Sequence, residues 1–131
     1  MRILIADDDK ISRNINREIL SLSGSVDAVV NGAEAVQVFK TALRDDNPFG
    51  LICLDISMPF YDGIYALNEI RTLERARMIS PEKAVKIVMV TSSRERRDIL
   101  NVRGKCNGYL LKPLSIGSMD KLLSRFKERE Q

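Results

Sequence analysis

The chain has 131 residues, 44% of them hydrophobic and 30% charged, with a net charge of +3. That length builds one domain with its own core, here expected over residues 1–131, and the composition excludes wholesale disorder. No apolar run approaches the ~18–20 residues of a membrane helix, and the apolar start Arg2-Ile3-Leu4-Ile5-Ala6 is too short for a signal-peptide core, so a cytoplasmic protein without membrane contact is expected.

In chain order, Arg2–Ala6 is the first apolar run. Ile11, Ile15, Ile19 and Leu22 then recur at spacings of three and four, which predicts an amphipathic helix with those side chains inward. Val26–Val30 reads as a second strand. Asn31, with Glu34 three residues on, opens a helix whose face is Ala35, Val36, Phe39, Ala42 and Leu43, and Asp46-Asn47-Pro48 ends it. Leu51–Leu54 is a third strand, followed by a loop and a helix from Gly63 to Met78 that Ser80-Pro81 breaks. Val85–Val90 is a fourth strand, Arg94–Val102 a weaker helix, Tyr109–Leu111 a fifth strand and Ile116–Arg129 a last helix.

The pattern is a strand followed by a helix, five times over. Apolar strands without alternation are buried on both faces, so the expected fold is α/β, a doubly wound parallel sheet covered by helices on each side. Such sheets bind their ligands outside the carboxyl ends of the strands.

The residues at those ends are informative. Asp7, Asp8 and Asp9 follow the first strand, Asp55 the third, Thr91 and Ser92 the fourth, and Lys112-Pro113 the fifth. A parallel sheet gathers them on one edge. Carboxylates crowded together repel unless a cation intervenes, and one lysine does not suffice. A hard divalent ion with oxygen ligands, Mg²⁺, is the natural compensator. Neither a P-loop nor a dinucleotide-binding glycine pattern is present, so nucleotide binding is unsupported. Histidine is absent, which removes imidazole catalysis and phosphohistidine chemistry from this chain. What remains is a carboxylate able to attack phosphorus, with metal and lysine absorbing the charge. Asp9 reads as a helix N-cap, and Cys53 as a small buried hydrophobe. Cys106 has no partner in the sequence, and the two cysteines lack the spacing of a zinc site. Few aromatics interleave with the basic residues, so direct nucleic-acid binding is not expected.

Asp7-Asp8, the stretch Asp55-Ile56-Ser57-Met58-Pro59-Phe60-Tyr61-Asp62-Gly63, Thr91-Ser92 and Lys112-Pro113, in this order, resemble the receiver domain of two-component response regulators. Asn31-Gly32-Ala33-Glu34-Ala35 adds to the match, which covers essentially the whole chain. The resemblance implies a flavodoxin-like sheet of strand order 2-1-3-4-5 with five helices. It implies Asp55 as the phosphoacceptor, with Mg²⁺ bound by Asp8, Asp55 and the backbone carbonyl of Ser57, and by Asp7 through water. Lys112 would pair with the phosphoryl oxygens, Thr91 would move to meet them, and Tyr109 would change rotamer in step. Lys112–Pro113 would be cis. The donor would be a phosphohistidine on a sensor histidine kinase or a histidine phosphotransfer protein. Output would pass to a downstream protein effector through the face of the fourth helix, fifth strand and fifth helix.

Two departures stand out. The connection from Leu73 to Ala84 is long for a receiver, and the stretch from Arg94 to Lys105 is strongly basic, which fits docking of an acidic partner. The chain is read as a stand-alone phosphoacceptor rather than an enzyme. The alternative is a receiver-fold adaptor that signals without phosphorylation. A phosphatase-type hydrolase would need a second Asp two residues after Asp55, where Ser57 stands.

Overall fold

The computed structural model describes residues 1–92 and 102–130. The apolar runs become five strands: β1 (Arg2–Ala6), β2 (Ser25–Val29), β3 (Leu51–Asp55), β4 (Lys86–Thr91) and β5 (Gly108–Leu111). Among the described residues four helices accompany them: α1 (Lys10–Leu20), α2 (Gly32–Arg44), α3 (Gly63–Ala76) and α4 (Ile116–Glu130). All strand pairs are parallel, in the order β2-β1-β3-β4-β5. This is the flavodoxin-like sheet expected. Most of the predicted fourth helix, including Arg94, Arg96 and Arg97, lies outside the described residues. Val102, at its predicted end, is fully buried.

Alternate strand residues serve two separate cores, because successive side chains point to opposite faces of a strand. Leu4, Ala6, Ile52, Leu54, Ile87 and Met89 pack with Phe39 of α2 and Leu67 and Ile70 of α3. Ile3, Ile5, Cys53, Val88 and Val90 pack with Leu20 of α1 and Met119, Leu122 and Phe126 of α4. Every residue of β3 is buried, which places Asp55 at the centre of the sheet's carboxyl edge.

The helix ends follow their local chemistry. Asp9, Asn31 and Asp62 cap α1, α2 and α3, their side chains accepting from the N–H groups of Ser12, Glu34 and Tyr65. The α3 helix stops at Ala76, short of the Met78 expected, and Pro81 is not the cause. Met78 turns into the left-handed region at φ 59°, and the N–H groups of Met78 and Ile79 bond to the carbonyls of Arg75 and Glu74 at 3.0 Å. This is a Schellman closure with Met where Gly is usual.

The face predicted for α1 holds only at Ile19, which packs against the α1/α4 core. Ile11, Ile15 and Leu22 are 71%, 47% and 73% exposed, and Asn16 and Leu20 are buried instead. Hydrophobic periodicity assumes an apolar surface opposite the helix. The carboxyl end of β1 instead presents the buried carboxylate of Asp7, which needs donors, and the helix turns Ser12 and Asn16 toward it. Leu22 falls beyond the end of the helix.

Candidate functional site

The candidate site residues sit where apolar strands stop. Asp7 and Asp8 follow β1, Asp55 and Thr91 close β3 and β4, and Lys112 follows β5. Asp7, Asp55 and Thr91 are 1%, 4% and 1% exposed, whereas Asp8 is open to solvent. Two glycines allow the loops to close in. A Cβ on Gly63 would lie 2.3 Å from the carbonyl oxygen of Asp55, so α3 starts directly on the backbone of that aspartate. A Cβ on Gly32 would lie 2.7 Å from the Tyr61 carbonyl, to which the Gly32 N–H donates. Met58 packs into the α2/α3 core, and Asp62 is a cap.

The side chains converge. Lys112 Nζ lies 2.7 Å from Asp55 Oδ2 and 3.4 Å from Asp7 Oδ2. Asp55 Oδ1 accepts from the Ser57 N–H at 3.2 Å. One carboxylate oxygen from each of Asp7, Asp8 and Asp55 lies within 4.8 Å of the others. Three carboxylates thus share one ammonium among the described residues at this edge. The donor set is all oxygen and partly open to water, which suits a hard divalent cation.

Burial pushes the Asp55 carboxyl up to about 6, against the hydrogen bond and charge of Lys112 and with the charge of Asp7 adding to the rise. Burial works against the charge on Lys112, but Asp55 and then Asp7 outweigh it and hold the ammonium above its ordinary range. The Thr91 hydroxyl donates to the Ser92 carbonyl, and the Lys112 N–H donates to the Thr91 carbonyl at 2.9 Å, tying the ends of β4 and β5 together. Lys112–Pro113 is cis. Tyr109 is half-buried against the α2/α3 core, its phenol pushed up to about 12 by burial and by a hydrogen bond with Cys106. Cys53 is buried, and its thiol is likewise pushed up to about 12.

Sequence reasoning missed the support under Asp7. Ser12 Oγ donates to Asp7 Oδ2 at 2.6 Å, Asn16 Nδ2 does so at 3.4 Å, and Arg13 donates to the Asp7 carbonyl at 2.9 Å. The available signal was two polar residues four apart on the helix directly after the acids.

The family model of the response regulator receiver domain matches residues 3–125, and the chain belongs to that family. The chemotaxis protein CheY of Halobacterium salinarum is 33% identical over 114 residues, which cover 86% of this chain and 84% of that one. Other curated relatives are longer, and the chain spans 15% of one and 54% of another. Among solved structures, one similar chain comes from the Saccharomyces cerevisiae complex of the histidine phosphotransfer protein Ypd1 with the receiver domain of Ssk1. It is 29% identical with a TM-score of 0.74, and the match covers 92% of this chain and 84% of that one. The receiver domain of the Arabidopsis thaliana histidine kinase CKI1, complexed with Mg²⁺ and BeF₃⁻, is 25% identical with a TM-score of 0.73, covering 94% of this chain and 89% of that one. No helix among the described residues is long and apolar enough to cross a membrane.

Proposed function

We propose that this chain is a phosphoacceptor switch in which Asp55 takes a phosphoryl group from a phosphohistidine on another protein. The observation that carries this reading is a buried carboxylate 2.7 Å from Lys112 and within metal-sharing distance of Asp7 and Asp8. A carboxylate oxygen of Asp55 bonds to phosphorus as the phosphorus–nitrogen bond of the donor breaks. The imidazole nitrogen keeps the bonding pair and takes up a proton. Asp8, Asp55 and the Ser57 carbonyl, with Asp7 through water, would hold Mg²⁺, which would supply positive charge to the transferring group. Lys112 adds a fixed positive charge beside Asp55.

The donor, a sensor kinase or a phosphotransfer protein, has a place to dock. A groove of about 370 Å³ runs along Asp9, Ile11, Ser12, Ile15, Asn16, Lys112 and Pro113, with exposed Ile11 and Ile15 on its wall. The rotation of α1 leaves this apolar shelf beside the acidic pocket. Phosphorylation adds charge beside Lys112 and Thr91. Their rearrangement, followed by Tyr109, alters the β5/α4 face, where Leu111 and Ile116 are 63% and 52% exposed and available to a protein effector.

Incubation with acetyl phosphate and Mg²⁺ followed by intact mass measurement tests this. One phosphate is expected on the wild type and none on Asp55→Asn. A wild-type chain that stays unmodified sinks the reading.

A further inference from the structure

The geometry assigns Ser12 a role in the chemistry of the pocket: it is a positioning residue that decides which oxygen of Asp7 faces the cation and which aspartate Lys112 serves. This rests on the Mg²⁺ reading above and names a residue outside the acidic set.

A carboxylate has room for about four hydrogen bonds or ligands, two on each oxygen. Asp7 Oδ2 is taken by Ser12 Oγ at 2.6 Å, by Asn16 Nδ2 at 3.4 Å and by Lys112 Nζ at 3.4 Å. Asp7 Oδ1 accepts the Asp9 N–H at 3.0 Å and keeps its remaining capacity. Asp7 therefore keeps one oxygen partly free for a cation or its water and has the other bound down. Ser12 makes the shortest of these contacts and is itself held, its N–H donating to the Asp9 side chain at 3.1 Å. Asn16, one turn further along α1 and buried, backs the same oxygen from below.

The same contact sorts the lysine. With Ser12 occupying Asp7 Oδ2, Lys112 stays at 3.4 Å from Asp7 and at 2.7 Å from Asp55. Without the hydroxyl, Oδ2 has only Lys112 and the long Asn16 bond to satisfy it, so the ammonium is drawn toward Asp7 and away from the acceptor. Groups that orient a ligating carboxylate typically carry about 10–100-fold in metal affinity.

Ser12→Val and Ser12→Thr separate this role from packing, because the two side chains match in shape and differ in the hydroxyl. Mg²⁺ is titrated by calorimetry into both variants and the wild type, each checked for fold by far-ultraviolet circular dichroism. Ser12→Val is expected to lose Mg²⁺ affinity about tenfold, and Ser12→Thr to stay within about twofold of the wild type. Val binding as tightly as the wild type, or Thr losing as much as Val, overturns the role of Ser12 while leaving the Mg²⁺ reading in place. A wild-type chain indifferent to Mg²⁺ overturns both.

Discussion

Asp55 and Glu74 are buried to the same degree, 4% exposed each, at opposite edges of one sheet. Glu74 lies in the last turn of α3, and both its oxygens are matched. Oε1 accepts from Arg71 at 2.6 Å, and Oε2 accepts from the Val85 N–H at 2.8 Å. Arg71 spends its other donors on the carbonyls of Lys105 and Val85 and on the Asn107 side chain. Asn107 in turn accepts from the Ile87 N–H at 2.8 Å. That edge is a closed network joining α3 to the starts of β4 and β5. Asp55 has one lysine, shared with a second buried aspartate, and a carboxyl pushed up to about 6. Burial of a carboxylate therefore says little by itself. A carboxylate whose partners are complete is structural, and one left short of positive charge is ready to take a cation and react.

Removing each charge should separate the two edges. Glu74→Ala leaves Arg71 buried without its counter-charge and the Val85 N–H without its acceptor, and is expected to cost about 3–5 kcal/mol in urea unfolding. Asp55→Asn, in metal-free buffer at pH 7, is expected to stabilise by up to about 3 kcal/mol, the worth of a carboxyl raised from 3.8 to about 6. Equal losses in the two variants would erase the distinction.

The pH dependence carries the same contrast. The Asp55 carboxyl titrates higher in the folded metal-free chain than in the unfolded one, from 3.8 to about 6. Its contribution is therefore fully present below pH about 4 and is lost as pH rises through 6, so the stabilising effect of Asp55→Asn should grow across that interval. A stability difference between wild type and Asp55→Asn that is flat from pH 4 to 7 would contradict it. Lys112→Ala removes the one ammonium from the pocket and should slow phosphate uptake from acetyl phosphate about 100-fold, read by mass against time. The smallest effect belongs to the shelf. Ile15→Ser should weaken donor-protein binding several-fold in a titration while leaving uptake from acetyl phosphate unchanged, since Ile15 is 47% exposed.

The strands and the acidic edge were legible because their signals are local. An uninterrupted run such as Leu51–Leu54 followed at once by Asp55 reads directly as a buried strand with a charge at its end. The rotation of α1 was not legible, since it depends on what Asp7 asks of the helix that packs over it, and a count of Ile spacings cannot include a carboxylate from another element. Arg71 and Glu74 escaped for a related reason. Three residues apart on α3, they look like a solvated ion pair, and only the fold brings Val85, Lys105 and Asn107 to them.

Cys53 stands two residues before Asp55, packed in the α1/α4 core and 3% exposed. A thiol in that position is inert to alkylating reagents while β3 stays in place. Its labelling rate is thus a clock for the opening of the central strand, with the more accessible Cys106 as the internal standard. The chain contains its own gauge of how firmly Asp55 is held.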